Sequence, residues 1–265
     1  MDLSEDGSRA LRPAMRLAHR TRAPLTLFNW SSYQDEAAGA KRYLLDVAET
    51  HATSDRPIDV DVAFTRDDGP ARSIAAAAAR IQGTVICMAT DARSGVGRAL
   101  LGSVAEATLR EVTQPIVLVG PTAGERSLPR DGRVVACVDG SALSETVLPV
   151  AAEWAHELKV PLRLVHALEP GAGYAQPSGP PDFTDSGYLA NLAQRTGGDA
   201  PTDFEVLHGD AAEAIASYAS GHAELVAVTT HGRGGIARTV LGSVAMRIVH
   251  RTTCPVLVVR ASSDS

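Results

Sequence analysis

Apolar residues fall into short unbroken runs separated by longer stretches in which apolar and polar positions recur with helical spacing. In the second half, Arg133-Val134-Val135-Ala136-Cys137-Val138 is such a run, ended by the turn-formers Asp139-Gly140-Ser141, and predicts a strand. Ser144 is placed to cap the next helix, whose broad stripe is Val147, Leu148, Ala151, Ala152, Trp154, Ala155 and Leu158. Pro149 should kink that helix early or draw its start towards itself. Residues 162–167, 204–208, 225–229 and 255–260 predict four more strands, and residues 211–220 and 243–250 predict helices. Strands apolar throughout and separated by helices imply a parallel sheet covered on both faces. Ligands bind such sheets beyond the carboxyl ends of the strands. A site is therefore expected at Asp139-Gly140-Ser141, around Ala167, and between Thr229 and Ser243.

The pattern occurs twice. Thr90-Asp91-Ala92-Arg93 through Leu101-Gly102-Ser103-Val104-Ala105 is matched, 140 residues later, by Thr230-His231-Gly232-Arg233 through Leu241-Gly242-Ser243-Val244-Ala245. Each segment follows an apolar run and precedes a helix-length stretch and a second run, Gln114-Pro115-Ile116-Val117-Leu118-Val119 or Cys254-Pro255-Val256-Leu257-Val258-Val259. A repeat this long indicates duplication of a whole domain rather than a solenoid. Pro121, Gly124, Pro129 and Gly132 interrupt both patterns. The expected division is a first domain over 1–120, a junction over 121–132 and a second domain over 133–265. The fold class is α/β, with two tandem doubly wound domains, each a five-stranded parallel sheet with helices on both faces.

Composition narrows the function classes. The 265 residues carry a formal charge of −6, which argues against a nucleic-acid binder built on a broad basic face. Three widely spaced cysteines, Cys87, Cys137 and Cys254, provide neither a disulfide framework nor paired metal-ligand spacing. The acidic start Met1-Asp2-Leu3-Ser4-Glu5-Asp6 lacks the order of a secretory signal. No run approaches the roughly 18 apolar residues of a membrane span. A cytoplasmic protein is expected.

The loop after the fourth strand of the second copy has phosphate-binding chemistry. Gly232, Gly234 and Gly235 allow close backbone approach to a ligand. Gly242-Ser243 opens a helix whose N–H groups, with the Ser243 hydroxyl, suit an anion. Arg233 and Arg238 add cations. Spacing alone leaves open that Ser243 only caps a helix, and that Asp139 only forms a turn. His231 is read as a solvent-facing loop residue and His166 as a satisfied one, each in preference to a catalytic or ligating role.

These motifs resemble the universal stress protein family, over nearly all of the second copy and more weakly over the first. The resemblance implies ATP, with Mg2+ as its companion ion, and a nucleotide site of Asp139, Gly140, Ser141, Ala167, Thr229, Gly232, Arg233, Gly242, Ser243 and Val244. Asp139 would hold the ribose or adenine edge, the backbone near Ala167 would meet adenine, and Gly232, Gly242, Ser243 and Val244 would line the phosphates. The ATP-binding branch has a third glycine where this chain has Thr229. Residues 171–185, rich in Gly and Pro, would hang over the adenine end. The resemblance also implies association through the fifth strand, so 255–260 should pair with 115–119 as an internal pseudo-dimer, with further homodimerisation open. A regulatory binding role is expected, through a protein partner of unknown identity and with at most slow hydrolysis. A slow ATP hydrolase and a nucleotide-free scaffold are the alternatives.

The first copy is degraded. Ala89 and Ala92 stand where glycines would, and Asp91 would repel a phosphate. Asp2-Leu3-Ser4 aligns with Asp139-Gly140-Ser141 at an offset of 137, so the run 134–138 has no counterpart except Met1. The first domain is expected to lack its first strand, leaving a gap in its sheet. A start upstream of Met1 is expected in preference to a rearranged domain.

Overall fold

The computed structural model describes residues 8–90, 101–124, 129, 131–168, 185–196, 198, 200–230 and 241–260. In the first half, α1 (Leu11–Thr21), β1 (Leu25–Ser31), α2 (Gln34–His51), β2 (Ile58–Phe64), α3 (Pro70–Ala78), β3 (Ile86–Ala89), α4 (Ser103–Glu111) and β4 (Ile116–Val119) follow in order. The second half holds β5 (Arg133–Cys137), α5 (Ala142–Glu145), α6 (Leu148–Leu158), β6 (Leu162–Leu168), α7 (Asp185–Thr196) and β7 (Thr202–His208). It ends with α8 (Ala211–His222), β8 (Ala223–Thr229), α9 (Ser243–Arg251) and β9 (Val256–Val259).

Strand order across the main sheet is β3-β4-β9-β8-β5-β6-β7, while β1 and β2 form a separate pair. The second copy is thus a continuous parallel sheet, β9-β8-β5-β6-β7. Alternate residues of its strands feed opposite faces. Val134, Ala136, Leu164 and Leu225 pack with Leu158 and Leu189 on one face, and Val135, Val165 and Val226 pack with Ile215 and Ile248 on the other. Burial on both faces is why these strands carry no polar alternation.

The copies join through β4 and β9, the one antiparallel pairing of the main sheet, with Ile116 opposite Val258, Val117 opposite Leu257 and Leu118 opposite Val256. Val117 and Leu257 are repeat-equivalent at the 140-residue offset. A local two-fold axis therefore passes through that pair, as in an isologous dimer seam. Around it, the Thr122 hydroxyl donates to the Thr252 carbonyl at 2.8 Å. Gly120 lies so close to α9 that a Cβ there would stand 1.8 Å from the Val249 carbonyl oxygen. A second tie crosses from α1, where Arg16 and Arg20 pair with the buried Glu224 of β8 at 3.3 and 3.2 Å.

The described strands of the first copy fall into two pieces. β1–β2 and β3–β4 hold the places that β6–β7 and β8–β9 hold in the second copy, with no described strand between β1 and β3. The start of α1 spans the two pieces, Ala10 packing with Val119 and Cys87 and Leu11 with Leu27 and Leu44.

Two local expectations are corrected. Ser144 does not cap the long helix; it lies inside α5, whose N-cap is Ser141. The long helix starts afresh at Leu148, with Pro149 in its first turn, because proline lacks the N–H that a continuous helix would need. The segment before β7 contains α7, which the sequence pattern had not suggested. It contributes Leu189 and Leu192 to the core.

Candidate functional site

The carboxyl ends of β5, β6 and β8 lie side by side, so the turns that follow them share one edge of the sheet. After β5, Gly140 has φ +83°, a left-handed conformation that glycine adopts without steric cost. Asp139 Oδ1 accepts hydrogen bonds from the Ser141 N–H at 3.0 Å and the Ser141 hydroxyl at 2.6 Å. Ser141 Oγ accepts from the Ser144 N–H at 3.1 Å, and Ser144 Oγ accepts from the Asp139 N–H at 3.1 Å. Asp139 thus performs the turn-forming role, and the closed ring holds its carboxylate in one orientation.

On β6, the Val138 N–H donates to the Val165 carbonyl at 3.0 Å, which sets Ala167 beside the β5 turn. His166 is buried and its Nδ1 hydrogen-bonds the Val138 carbonyl at 2.9 Å. Its ring meets Tyr188 of α7 edge-on at 6.3 Å, and the Tyr188 hydroxyl donates to Glu145 at 3.0 Å. His166 is therefore a satisfied structural group, as its sequence position suggested.

Thr229 ends β8 opposite Val259 and is buried. The next residue ties the strand to the helix, because the Gly242 N–H donates to the Thr230 carbonyl at 2.8 Å. Gly242 is the N-cap of α9 and supplies no side-chain cap, and no acidic residue lies in the first turn. The first backbone bond back to that cap comes from Met246 at 2.9 Å. The N–H groups of Ser243 and Val244 thus stand at a positive helix end, where an anion is favoured. Gly232, Arg233, His231, Arg238 and residues 171–184 lie outside the described residues. Asp139, Gly140, Ser141, Ala167, Thr229, Gly242, Ser243 and Val244 are brought to the same sheet edge.

Sequence reasoning missed one pair at this edge. Asp210 N-caps α8, accepting from the Glu213 N–H at 3.0 Å. It also receives two hydrogen bonds from Arg247 of α9, at 2.7 and 2.8 Å. The Arg247 guanidinium, and then the Glu213 N–H, hold the Asp210 carboxyl below the usual carboxylate range. The partner of Asp210 lies 37 residues away on another helix, so local pattern does not show the pair.

The matching corner of the first copy is different. Gly69 N-caps α3 and Ala107 lies on α4, and both line an open cleft of about 440 Å³ with Asp67, Pro70, Arg72 and Ser103. Glu106 places a carboxylate in the first turn of α4, and Gly102 has φ +86°. Of the three thiols, Cys254 is buried and Cys87 and Cys137 are half-buried. Burial pushes Cys87 and Cys254 up to about 12 and Cys137 higher still.

Comparison with known proteins follows this division. A family model described as the universal stress protein family matches residues 1–120 and again 132–260. A universal stress protein of Mycobacterium tuberculosis is 29% identical over 185 residues, covering 67% of this chain and 62% of its own length. The chain thus spans about three fifths of that relative. A universal stress protein of Mycolicibacterium smegmatis is 29% identical over 292 residues, covering 98% of this chain and 95% of its own. The crystal structure of a universal stress protein from Archaeoglobus fulgidus superposes with a TM-score of 0.68 at 19% identity, over 100% of this chain and 96% of that one, which establishes likeness of fold. With a match in each half of a duplicated chain, the protein belongs to the universal stress protein family.

Proposed function

We propose that the second copy binds an adenine nucleotide, ATP by preference, and that occupancy regulates a surface read by another protein. The observation that carries this reading is the start of α9, which has no acidic residue in its first turn and faces the same sheet edge as the Asp139 turn. In this reading Ser243 and Val244 receive the phosphates, and Gly242 lets them approach. Asp139 meets the ribose or adenine edge beside the Ala167 backbone, and Gly140 and Ser141 hold that carboxylate in place. Thr229 closes the strand end, and Gly232 and Arg233 complete the loop. Mg2+ would accompany the phosphates and offset their charge.

Binding with at most slow hydrolysis is favoured over rapid turnover. Fast phosphoryl transfer needs a positioned base as well as a metal. Asp139 is engaged in its turn and Asp210 in an ion pair. A nucleotide-free scaffold is the second reading, favoured by the buried Thr229 where the resemblance calls for glycine.

The test is to denature purified protein, identify released small molecules by chromatography, and titrate ATP calorimetrically. Co-purified nucleotide or saturable ATP binding is expected, and Gly242→Val should abolish it. A Cβ at Gly242 would make only an ordinary 3.7 Å contact with the Thr230 carbonyl, and a thermal melt matching that of the unaltered protein shows that the loss of binding is not a loss of fold. Absence of both co-purified nucleotide and binding at millimolar ATP would reject the reading.

A further inference from the structure

We infer that the Asp210–Arg247 ion pair is a positioning device for the phosphate end of the second copy's site. This rests on the nucleotide reading above and adds to it two residues outside the site named there.

The pair joins the starts of two neighbouring helices. Asp210 is the N-cap of α8 and Arg247 lies on α9, one turn beyond Ser243. Both helices begin at the carboxyl edge of the sheet, α8 directly after β7 and α9 after the loop that follows β8. Two hydrogen bonds between a planar guanidinium and a carboxylate fix distance and orientation together. The pair therefore sets where the first turn of α9 stands relative to the neighbouring helix start.

The first copy shows the same corner without the pair. The N-cap of α3 is Gly69, and the repeat equivalent of Arg247 is Ala107, 140 residues earlier. Both residues line the open cleft of about 440 Å³ between α3 and α4. Two complementary charges in one copy thus correspond to two small residues and a cleft in the other. The copy that carries the pair is the one whose helix start is free of acidic residues, whereas α4 carries Glu106 in its first turn.

Charge assigns the pair to positioning rather than to direct ligation. Arg247 is matched by an ionised Asp210, so the pair contributes little net charge to a polyphosphate. What it contributes is a fixed place for the N–H groups of Ser243 and Val244. Preorganised donors bind an anion more tightly than donors that must be ordered on binding.

Calorimetric titration of the full chain with ATP and with AMP tests this, using Asp210→Asn, Arg247→Met and Arg247→Lys beside the unaltered protein. Asparagine caps a helix as well as aspartate does, so Asp210→Asn removes the ion pair while keeping the cap. Asp210→Asn and Arg247→Met should each weaken ATP about tenfold and change AMP less than about twofold, since AMP carries little of the phosphate chain. Arg247→Lys should fall between them and the unaltered protein, keeping the charge without the fork. Loss of ATP and AMP affinity in equal measure, or no loss of either, would overturn the positioning role. Failure of the unaltered protein to bind ATP would overturn the nucleotide reading and this inference together. ATP affinity left at the unaltered protein's value in both Asp210→Asn and Arg247→Met overturns this inference alone.

Discussion

Among the described residues the second copy has one strand more than the first, and the difference bears on both packing and chemistry. In the second copy β5 lies between β8 and β6 and hydrogen-bonds both. β8 is buried at every position. In the first copy no described strand separates β3 from β1, and every residue of β3 is only half-buried. The central strand therefore turns four flanking strands into a single layer. It also delivers the Asp139 turn to the sheet edge. The strand pairs flanking the seam are alike in both copies, since Thr90 and Thr230 each donate their N–H, at 3.0 Å, to the carbonyls of Val119 and Val259 on the adjacent strand.

Matched truncations should show the largest difference. Leu164 in β6 and Leu27 in β1 are repeat-equivalent at the 137-residue offset. Leu164 is fully buried in a core shared by the main sheet, whereas Leu27 packs in a small cluster with Leu44 and Ala48. Leu164→Ala should cost about 4 kcal/mol and Leu27→Ala about 2 kcal/mol in urea unfolding. Equal costs would mean that the missing strand does not weaken the first copy.

Next in size is the seam. Gly120→Ala should cost about 3 kcal/mol, because the new methyl meets backbone rather than a movable side chain. A thermal melt unchanged by the substitution would contradict the close packing of the two copies. Ser141→Ala removes the cap of α5 and one partner of Asp139, and should cost about 1 kcal/mol. ATP affinity measured in that variant shows whether the ordered Asp139 carboxylate matters for binding.

The smallest effect is a pH dependence confined to the second copy. The Asp210 carboxyl has its pKa lowered in the folded state by Arg247, so the pair's stabilisation is complete above the unfolded value of about 4. It is lost as pH falls through the lower folded value. Amide exchange in α8 and α9 should therefore accelerate towards pH 3 more in the unaltered protein than in Asp210→Asn. Exchange in α3 and α4, where Gly69 replaces the carboxylate, should not distinguish the two proteins. Identical acid profiles in α8 and α9 would contradict the assignment.

Much of this was legible in sequence because it is local or repeated. Apolar runs such as Val134 to Val138 mark buried strands, and the 140-residue offset marks the duplication. The 137-residue alignment of Asp2 with Asp139 located the gap in the first sheet. The pairing of β4 with β9 was expected from the family resemblance and is present. Less legible were features that depend on packing between distant segments. α7 follows a Gly- and Pro-rich stretch and its own pattern is weak, so its tertiary contacts through Leu189 and Leu192 decide it. Asp210 and Arg247 are each unremarkable where they stand, one as a cap and the other as a helix arginine. Only the juxtaposition of α8 and α9 makes them a pair. Ser144 was misassigned because a short helix capped by Ser141 intervenes before the long one, which starts only at Leu148.

The central claim is that one copy carries the site and the other has lost it. Calorimetric titration of the full chain with ATP measures this as a stoichiometry. One ATP bound per chain, abolished by Gly242→Val, is the predicted result. Two equivalent sites per chain, or one that persists in Gly242→Val, would contradict the account.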